Sequence, residues 1–186
     1  MDRELLKHIG ITERPGKSPK ILSCTWKLPL PGTVKANVDG TSYGNPGPSA
    51  AGVVFRKQDG EVTLVLEKGL GITTNFMAEC WAILLAAEQA FIQGWLRLWI
   101  VSDSQAAVAA FMSERLPWLV KGRWTICKRK MLHIRISHIF RKWNFAADMV
   151  SKHGVGLQEG TLVLTTQRPS WLGCIESPFC TYYRFS

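Results

Sequence analysis

The chain has 186 residues, of which 46% are hydrophobic, and its 23 basic and 14 acidic residues give a formal net charge of +9. This length and composition are typical of one globular domain and argue against a disordered chain. There is no run of eighteen apolar residues, and acids appear within the first few positions, so we expect neither a membrane span nor a secretory signal. The basic balance favours a polyanionic partner.

The five cysteines are odd in number and form no Cys-x-x-Cys pair. This usage argues against a zinc site or a disulfide framework, and it favours a reducing, intracellular compartment, either nucleus or cytoplasm.

Residues 1–25 carry Pro15, Gly16 and Pro19 without a sustained hydrophobic period. We interpret them as a leader or linker.

Three strands are predicted after this leader, joined as an antiparallel meander. Lys35–Thr41 alternates polar and apolar residues and ends in an Asp-Gly turn signal. Ala50–Arg56 and Glu61–Glu67 are the second and third strands, and the turn Lys57–Gly60 connects them. Gly69–Asn75 is expected to break the strand pattern and to supply helix-start residues.

The middle of the chain predicts a buried helix followed by parallel strands. Phe76–Gln93 is apolar on almost every side, which predicts a core helix, and Gly94 is expected to end it. The strand Leu96–Val101 follows, and then the helix Gln105–Met112. Alternation of strand and helix implies a parallel pair of strands with a crossover, and ligands bind at the carboxyl ends of such strands.

A second amphipathic helix is predicted from apolar residues at helical spacing: Val120, Trp124, Cys127 and Met131. Its outer face is basic: Lys121, Arg123, Lys128 and Lys130. Contact with phosphates and a solvated helix face explain these bases equally well. A fifth strand is predicted over Leu132–Ile139, and Asn144 is expected to cap a final helix.

Four acids fall at the edges of these elements: Asp39, Glu79, Asp103 and Asp148. Taken alone, the first of them is most simply explained as part of a surface turn. Glu79, however, lies among apolar neighbours, where a carboxylate needs a counter-ion or a metal. Four carboxylates brought together could hold two divalent ions for phosphodiester chemistry, and hard oxygen ligands select Mg²⁺ or Mn²⁺.

Four segments, in order, resemble the signature blocks of ribonuclease H type 1: Lys35–Thr41, Thr73–Glu79, Val101–Ser104 and His138–Asp148. The similarity is greatest to the plant ribonuclease H-like domains related to the reverse transcriptases of non-LTR retroelements. It covers residues 26–156, which we interpret as the domain. Residues 157–186 are then a C-terminal tail that packs on the domain or on a partner.

The resemblance implies an α/β fold with a five-stranded mixed sheet of order 3-2-1-4-5, flanked by helices. It implies a Mg²⁺-dependent endonuclease that hydrolyses the RNA strand of RNA–DNA hybrids with two ions, for which Mn²⁺ is an alternative. Asp39 would bridge both ions, Asp148 would complete the site of the water-activating ion, and Glu79 and Asp103 would hold the ion on the leaving 3′ oxygen. Substrate contacts are implied for Gly40, Thr41, Ser42, Thr74, Asn75, Ser104 and Asn144.

One segment departs from the family pattern. Many relatives carry a mobile histidine in a longer loop before the last block, whereas only Ile139–Trp143 separates His138 from Asn144 here, with Arg141 and Lys142 in that stretch. This leaves a second hypothesis open, a non-catalytic module that binds nucleic acid or protein.

Two other classes of enzyme fit the sequence less well. A proofreading-type exonuclease would need an acid at position 41, which is Thr41 here, and a transposase would lack the Thr-Asn-x-x-Ala-Glu block. We expect a monomer without membrane contact, and a piece or descendant of a retroelement polyprotein.

Overall fold

The computed structural model of the chain describes residues 21–173 and 180–185. Most of the expected leader and part of the expected tail lie outside the described residues. The strands are β1 Ile21–Thr25, β2 Val34–Ser42, β3 Gly47–Arg56, β4 Val62–Thr73, β5 Arg97–Ser102, β6 His133–His138, β7 Leu162–Thr166 and β8 Thr181–Phe185. The helices are α1 Asn75–Ile92, α2 Gln105–Met112, α3 Trp118–Lys130 and α4 Phe145–Gly154, and a 3₁₀ turn covers Arg141–Trp143.

Six of these strands form one mixed sheet in the order β6-β5-β2-β3-β4-β7. The strands β2, β3 and β4 form the antiparallel meander, and β5 and β6 run parallel to β2. The order 3-2-1-4-5 is therefore confirmed for the five expected strands. The count of five was too low, because β7 pairs antiparallel with the outer edge of β4. β1 and β8 form a separate antiparallel pair.

The expected break after the third strand was wrong. β4 continues through Gly69 as far as Thr73, which pairs with Gly47 at the start of β3. A register shift between Ser49 and Ala50 absorbs the irregularity, and a bulge of this kind lets a strand continue past glycines. The glycines of this segment could not predict where β4 ends, because pairing with β3 determines its length.

The sheet has an apolar core on each face, since successive strand residues point to opposite sides. Val53 packs in the larger core with helix α1, while Val54 packs in the smaller core with helix α4. As predicted, α1 is the core helix; Thr74 caps its start, and Gly94 follows its end with a φ of 71°. None of the helices in the described part of the chain is long and apolar enough to cross a membrane.

Two glycines allow helices to touch the central strands from opposite faces. A Cβ atom at Gly40 would lie 2.2 Å from the backbone of Ala78 and Glu79 in α1. A Cβ atom at Gly52 would lie 2.3 Å from the backbone nitrogen of Ser151 in α4. These close approaches bring Glu79 and Ser151 to the same end of the sheet.

Candidate active site

Three carboxylates meet at the carboxyl ends of the parallel strands. Asp39 comes from β2, Glu79 from the start of α1, and Asp103 from the residue after β5. One oxygen from each lies within 4.8 Å of the other two, the only such group of three or more potential ligands in the described residues. We call these three residues the inner cluster. Parallel pairing of β2 with β5 sets two of them side by side.

Two of the three carboxylates of the inner cluster are shielded from water. Asp39 is 3% exposed and Glu79 is 5% exposed, and among the described residues neither forms an ion pair. Burial, opposed by the hydrogen bond from Ser151, raises the pKa of Asp39 to about 6. Burial, together with the charges of Asp39 and Asp103, raises the pKa of Glu79 to about 9. Such carboxyls need either a proton or a bound cation.

Two hydroxyls fix the orientation of Asp39. The Oγ of Ser151 donates a hydrogen bond to Oδ2 of Asp39. The Oγ1 of Thr41 lies 3.2 Å from the same oxygen and 2.6 Å from the Ser151 hydroxyl. Sequence reasoning missed Ser151, although its position three residues after Asp148 puts it on the same face of a helix.

Glu79 is held from two sides. It accepts a hydrogen bond from the backbone N–H of Gly40, which helps to limit the rise of its pKa. The Oγ of Ser102 donates to Oε2 at 3.5 Å and accepts from the N–H of Ser104. Ser102 lies in the Val101–Ser104 block, but it was not predicted as a site residue.

The fourth acid has different surroundings. Asp148 stands on α4, as expected, but its two oxygens accept from Arg141 Nη2 at 3.2 Å and from Lys152 Nζ at 2.6 Å. Nε of Arg141 also lies 3.9 Å from Oδ2 of Asp103. Hydrogen bonding to Asp148 raises the pKa of Arg141, whose side chain is 74% exposed. We call Asp148, Arg141 and Lys152 the outer end of the site.

The residues expected to contact substrate are spread between surface and interior. Asn75 is exposed, and Ser42, Thr74 and Ser104 are partly exposed. The hydroxyls of Thr74 and Ser104 cap α1 and α2.

The other three of these residues, Gly40, Thr41 and Asn144, are buried. Asn144 stands at the start of α4, as expected, but its side chain does not cap the helix. Its amide donates instead to the carbonyl of Val38 at 2.7 Å and to Asp103 at 3.2 Å. It therefore lies behind the carboxylates.

An open cleft of about 810 Å³ adjoins the carboxylates. Its lining combines acids, bases and aromatic rings: Asp103, Gln105, His138, Phe140, Arg141, Lys142, Phe145 and Asp148. Guanidinium and ammonium groups suit phosphates, and rings suit bases or sugars. This is the stretch in which the family pattern is shortened.

The fold and the acids of this site define a ribonuclease H-like domain. The chain is 29% identical over 140 residues to an Arabidopsis thaliana protein named "Putative ribonuclease H protein At1g65750", covering 73% of this chain and 22% of that protein. It is 36% identical over 90 residues to ribonuclease HI of Halobacterium salinarum, covering 48% of this chain and 45% of the relative. It thus spans less than half the length of the curated relatives it matches.

Solved structures agree with these sequence matches. The crystal structure of RNase H1 from Halobacterium salinarum superposes with a TM-score of 0.60 at 28% identity, covering 66% of this chain and 97% of that one. LC11-RNase H1, solved in complex with an RNA/DNA hybrid, gives a TM-score of 0.59 at 23% identity, over 66% of this chain and 96% of that one; at this identity the likeness shows the fold alone. The family model described as reverse transcriptase-like matches residues 37–154. The chain belongs to this family, and the resemblance to plant ribonuclease H-like domains is confirmed.

Proposed function

We propose that the protein is a divalent-ion-dependent endonuclease that hydrolyses the RNA strand of RNA–DNA hybrids. The observation that carries this proposal is the inner cluster: three carboxylates, two of them buried, within 4.8 Å of one another, beside an open cleft whose lining includes Arg141 and Lys142. Relatives named ribonuclease H, and a neighbour of the same fold solved with an RNA/DNA hybrid, support the choice of substrate.

The donor set of the inner cluster fits a small, hard cation. Its three members offer carboxylate oxygens, and the raised pKa values of Asp39 and Glu79 mean that a bound ion would replace protons that the ion-free site retains. Mg²⁺ is our first choice and Mn²⁺ the second, because both take oxygen ligands. A pair of such ions, when bound, supplies an activated water and stabilises the leaving oxygen of a phosphodiester.

The residues of the chain divide the remaining work. We propose that Asp39 is a ligand in both ion sites. Glu79 and Asp103 would complete the first site, and Asp148 would complete the second. The hydroxyls of Thr41 and Ser151 keep the Asp39 carboxylate in one orientation. Burial excludes water from these oxygens, so that their electrostatic interactions are stronger than in solvent.

The cleft gives the hybrid a place to bind. Arg141 and Lys142 lie along it and match phosphate oxygens, while Phe140 and Phe145 offer apolar surface. Asn75 is exposed at the start of α1, and we assign to it a contact in the minor groove, where the 2′-hydroxyls of the RNA strand are displayed. These contacts would select a hybrid over a DNA duplex.

One observation favours a second candidate, a binding module without turnover. Both oxygens of Asp148 are engaged by Arg141 and Lys152, so a second ion at this carboxylate has to displace side-chain cations. If it cannot, the fold would still bind nucleic acid through the cleft. Binding without Mg²⁺-dependent cleavage is the result that separates this candidate from the first.

A labelled hybrid tests the two candidates. Wild-type protein should cut the RNA strand in Mg²⁺ and leave 5′-phosphate and 3′-hydroxyl ends, and Asp39→Asn should slow cutting by about a thousandfold, equivalent to about 4 kcal/mol in the barrier. Asp59→Asn is the matched control, because Asp59 is an exposed acid in a hairpin turn. An Asp39→Asn protein that cuts as fast as the control would sink the proposal.

We also propose that the domain spans residues 26–156 and that the tail 157–186 packs on it. In support, β7 pairs with β4, and Leu172 is buried beside Val54 and Val62. We further propose that the chain is a piece or a descendant of a retroelement polyprotein, which transcript mapping would test.

A further inference from the structure

A chain of buried polar side chains leads from the end of β3 to the inner cluster. Nη1 of Arg56 donates to Oδ1 of Asn37 at 3.1 Å, and Nδ2 of Asn37 donates to Oδ1 of Asn144 at 3.1 Å. Nδ2 of Asn144 then donates to Oδ1 of Asp103 at 3.2 Å. We call Arg56, Asn37 and Asn144 the buried relay. Arg56 is 1% exposed, and both asparagines are 0% exposed.

The relay has a direction, and the arginine sets it. A guanidinium can only donate hydrogen bonds, so the oxygen of the Asn37 amide must face Arg56. The NH₂ group of Asn37 then faces Asn144, and the same reasoning turns the NH₂ group of Asn144 toward Asp103. A cation in the interior thus ensures that Asp103 meets a donor.

The second contact of Asn144 fixes the relay to the strand that carries Asp39. Its Nδ2 also donates to the carbonyl of Val38 at 2.7 Å, the residue before Asp39. One amide therefore links the residue after β5 to the middle of β2, the two strands that deliver neighbouring carboxylates. Loss of its orientation would disturb both contacts.

We propose that Asn37 and Arg56, which do not touch the cleft, are positioning residues that hold Asp103 for ion binding through Asn144. This inference deepens the proposed function and rests on it. Outer groups that hydrogen-bond to metal ligands commonly change ion affinity by about tenfold or more when they are altered. The relay predicts that ion affinity depends on whether the side chain at position 37 can donate a hydrogen bond to Asn144, and that a protein with a side chain of the same size but without this donor binds the ion more weakly.

Asn37→Asp is the informative variant. It keeps the shape of the side chain and can still accept from Arg56, and the negative charge that it adds would by itself strengthen the binding of a cation, so weaker binding can come only from the lost donor. A carboxylate cannot donate to Asn144, however, so the Asn144 amide would reverse and turn its oxygen toward Asp103 and the Val38 carbonyl. Binding of Mn²⁺ alone, followed by electron paramagnetic resonance, should weaken by about tenfold.

Val54→Ala is the matched control, because Val54 is buried directly opposite Asn37 on β3. It should lower the unfolding temperature and leave Mn²⁺ affinity unchanged. A second pair of variants probes the other end of the relay: Arg56→Lys keeps a donor-only cation, whereas Arg56→Met removes it. Mn²⁺ should bind more weakly to Arg56→Met than to Arg56→Lys.

The outcomes separate the two proposals. Asn37→Asp protein that binds Mn²⁺ as tightly as wild type would overturn the relay, as would equal affinities for the two Arg56 variants. Wild-type protein that binds Mn²⁺ but leaves the hybrid uncut would contradict the proposed function and leave the relay standing. Wild-type protein that binds no Mn²⁺ would contradict both.

Discussion

The inner cluster and the outer end of the site differ in how their buried carboxylates are neutralised. Asp39 and Glu79 are almost fully buried, and only hydroxyl and amide donors reach them in the described structure. Asp148 is also largely buried, yet it is neutralised by two side chains that are themselves well exposed. One region depends on a proton or an ion, and the other carries its own cations.

This difference shows which part of the site the fold fixes. The inner cluster stands on β2, α1 and the end of β5, and the close contact at Gly40 locks the first two together. The cations of the outer end are long side chains, and exposed pairs of this kind contribute little to stability. We therefore expect the fold itself to position the ligands of the first ion, and the second ion to compete with Arg141 and Lys152 for Asp148.

The largest effect should come from Gly40→Ala. The new methyl group would meet the backbone of Ala78 and Glu79 at 2.2 Å and force α1 away from β2. We expect a loss of about 3 kcal/mol or more in the free energy of unfolding, measured by urea titration. Gly122→Ala is the control, because nothing lies within 4 Å of the added Cβ on helix α3; it should be neutral or slightly stabilising. Equal stabilities of the two variants would refute the close contact.

A pH series should distinguish the inner cluster from the rest of the protein. The pKa values of Asp39 and Glu79 rise from 3.8 and 4.5 to about 6 and about 9 on folding. At pH values between the unfolded and the folded pKa of each group, the folded, ion-free protein holds a proton that the unfolded chain has lost. The free energy of unfolding therefore falls as pH rises through this range. Glu79→Gln removes the larger of the two pKa rises, so it should remove most of this fall.

The measurement is a set of urea titrations in EDTA from about pH 5 to about pH 9. Glu88→Gln provides the control, because Glu88 is paired with Arg123 on the surface of the helices. If the wild type and Glu79→Gln show the same pH slope, burial does not govern the charge of the inner cluster.

Ser151→Ala should have a moderate effect. The variant removes the hydroxyl that donates to Asp39, a contact that lowers the pKa of this carboxyl. The pKa of Asp39 should therefore rise further, and the acidic limb of the cleavage profile should move to higher pH. We expect about tenfold slower cleavage near neutral pH. Ser113→Ala, which alters an exposed hydroxyl at the end of α2, is the control; a profile identical to that control would rule out the orienting role.

The smallest effect on stability should come from Lys152→Ala. The pair with Asp148 is an exposed i,i+4 contact, which contributes about 0.5 kcal/mol at most. Removing the lysine frees one oxygen of Asp148, so half-maximal cleavage should need less Mg²⁺. Arg123→Ala removes the surface pair with Glu88, which involves none of the four acids of the site, and should not change the Mg²⁺ requirement. An unchanged requirement in Lys152→Ala would show that this cation does not compete with the ion.

The sequence was sufficient where a pattern is local. Alternation and helical spacing predicted β2, α1 and α3, and the resemblance of four sequence blocks to a known family implied that family and its sheet order. The sequence was insufficient where pairing with another strand determines the structure. Such pairing extends β4 to Thr73 and adds β7 to the edge of the sheet. Pairing depends on residues far along the chain, and no local window contains it.

The same limit applies to the site. The acids Asp39, Glu79 and Asp103 could be proposed from type and position, and the fold brings them together. Whether they and Asp148 all act in catalysis stays a prediction. Asn37 and Arg56 gave no signal, because an asparagine and an arginine in strands are ordinary until their hydrogen bonds are known. Asn144 was assigned to substrate, whereas its side chain turns inward to Asp103.

The most direct test of the central claim is cleavage of a labelled RNA–DNA hybrid by wild type and Asp103→Asn, each in Mg²⁺ and in EDTA. Our account predicts cutting of the RNA strand only by the wild type in Mg²⁺, with Asp103→Asn slower by about a thousandfold, equivalent to about 4 kcal/mol. Cutting in EDTA, or equal rates for the two proteins in Mg²⁺, would contradict the claim that the inner cluster is an ion-dependent catalytic centre.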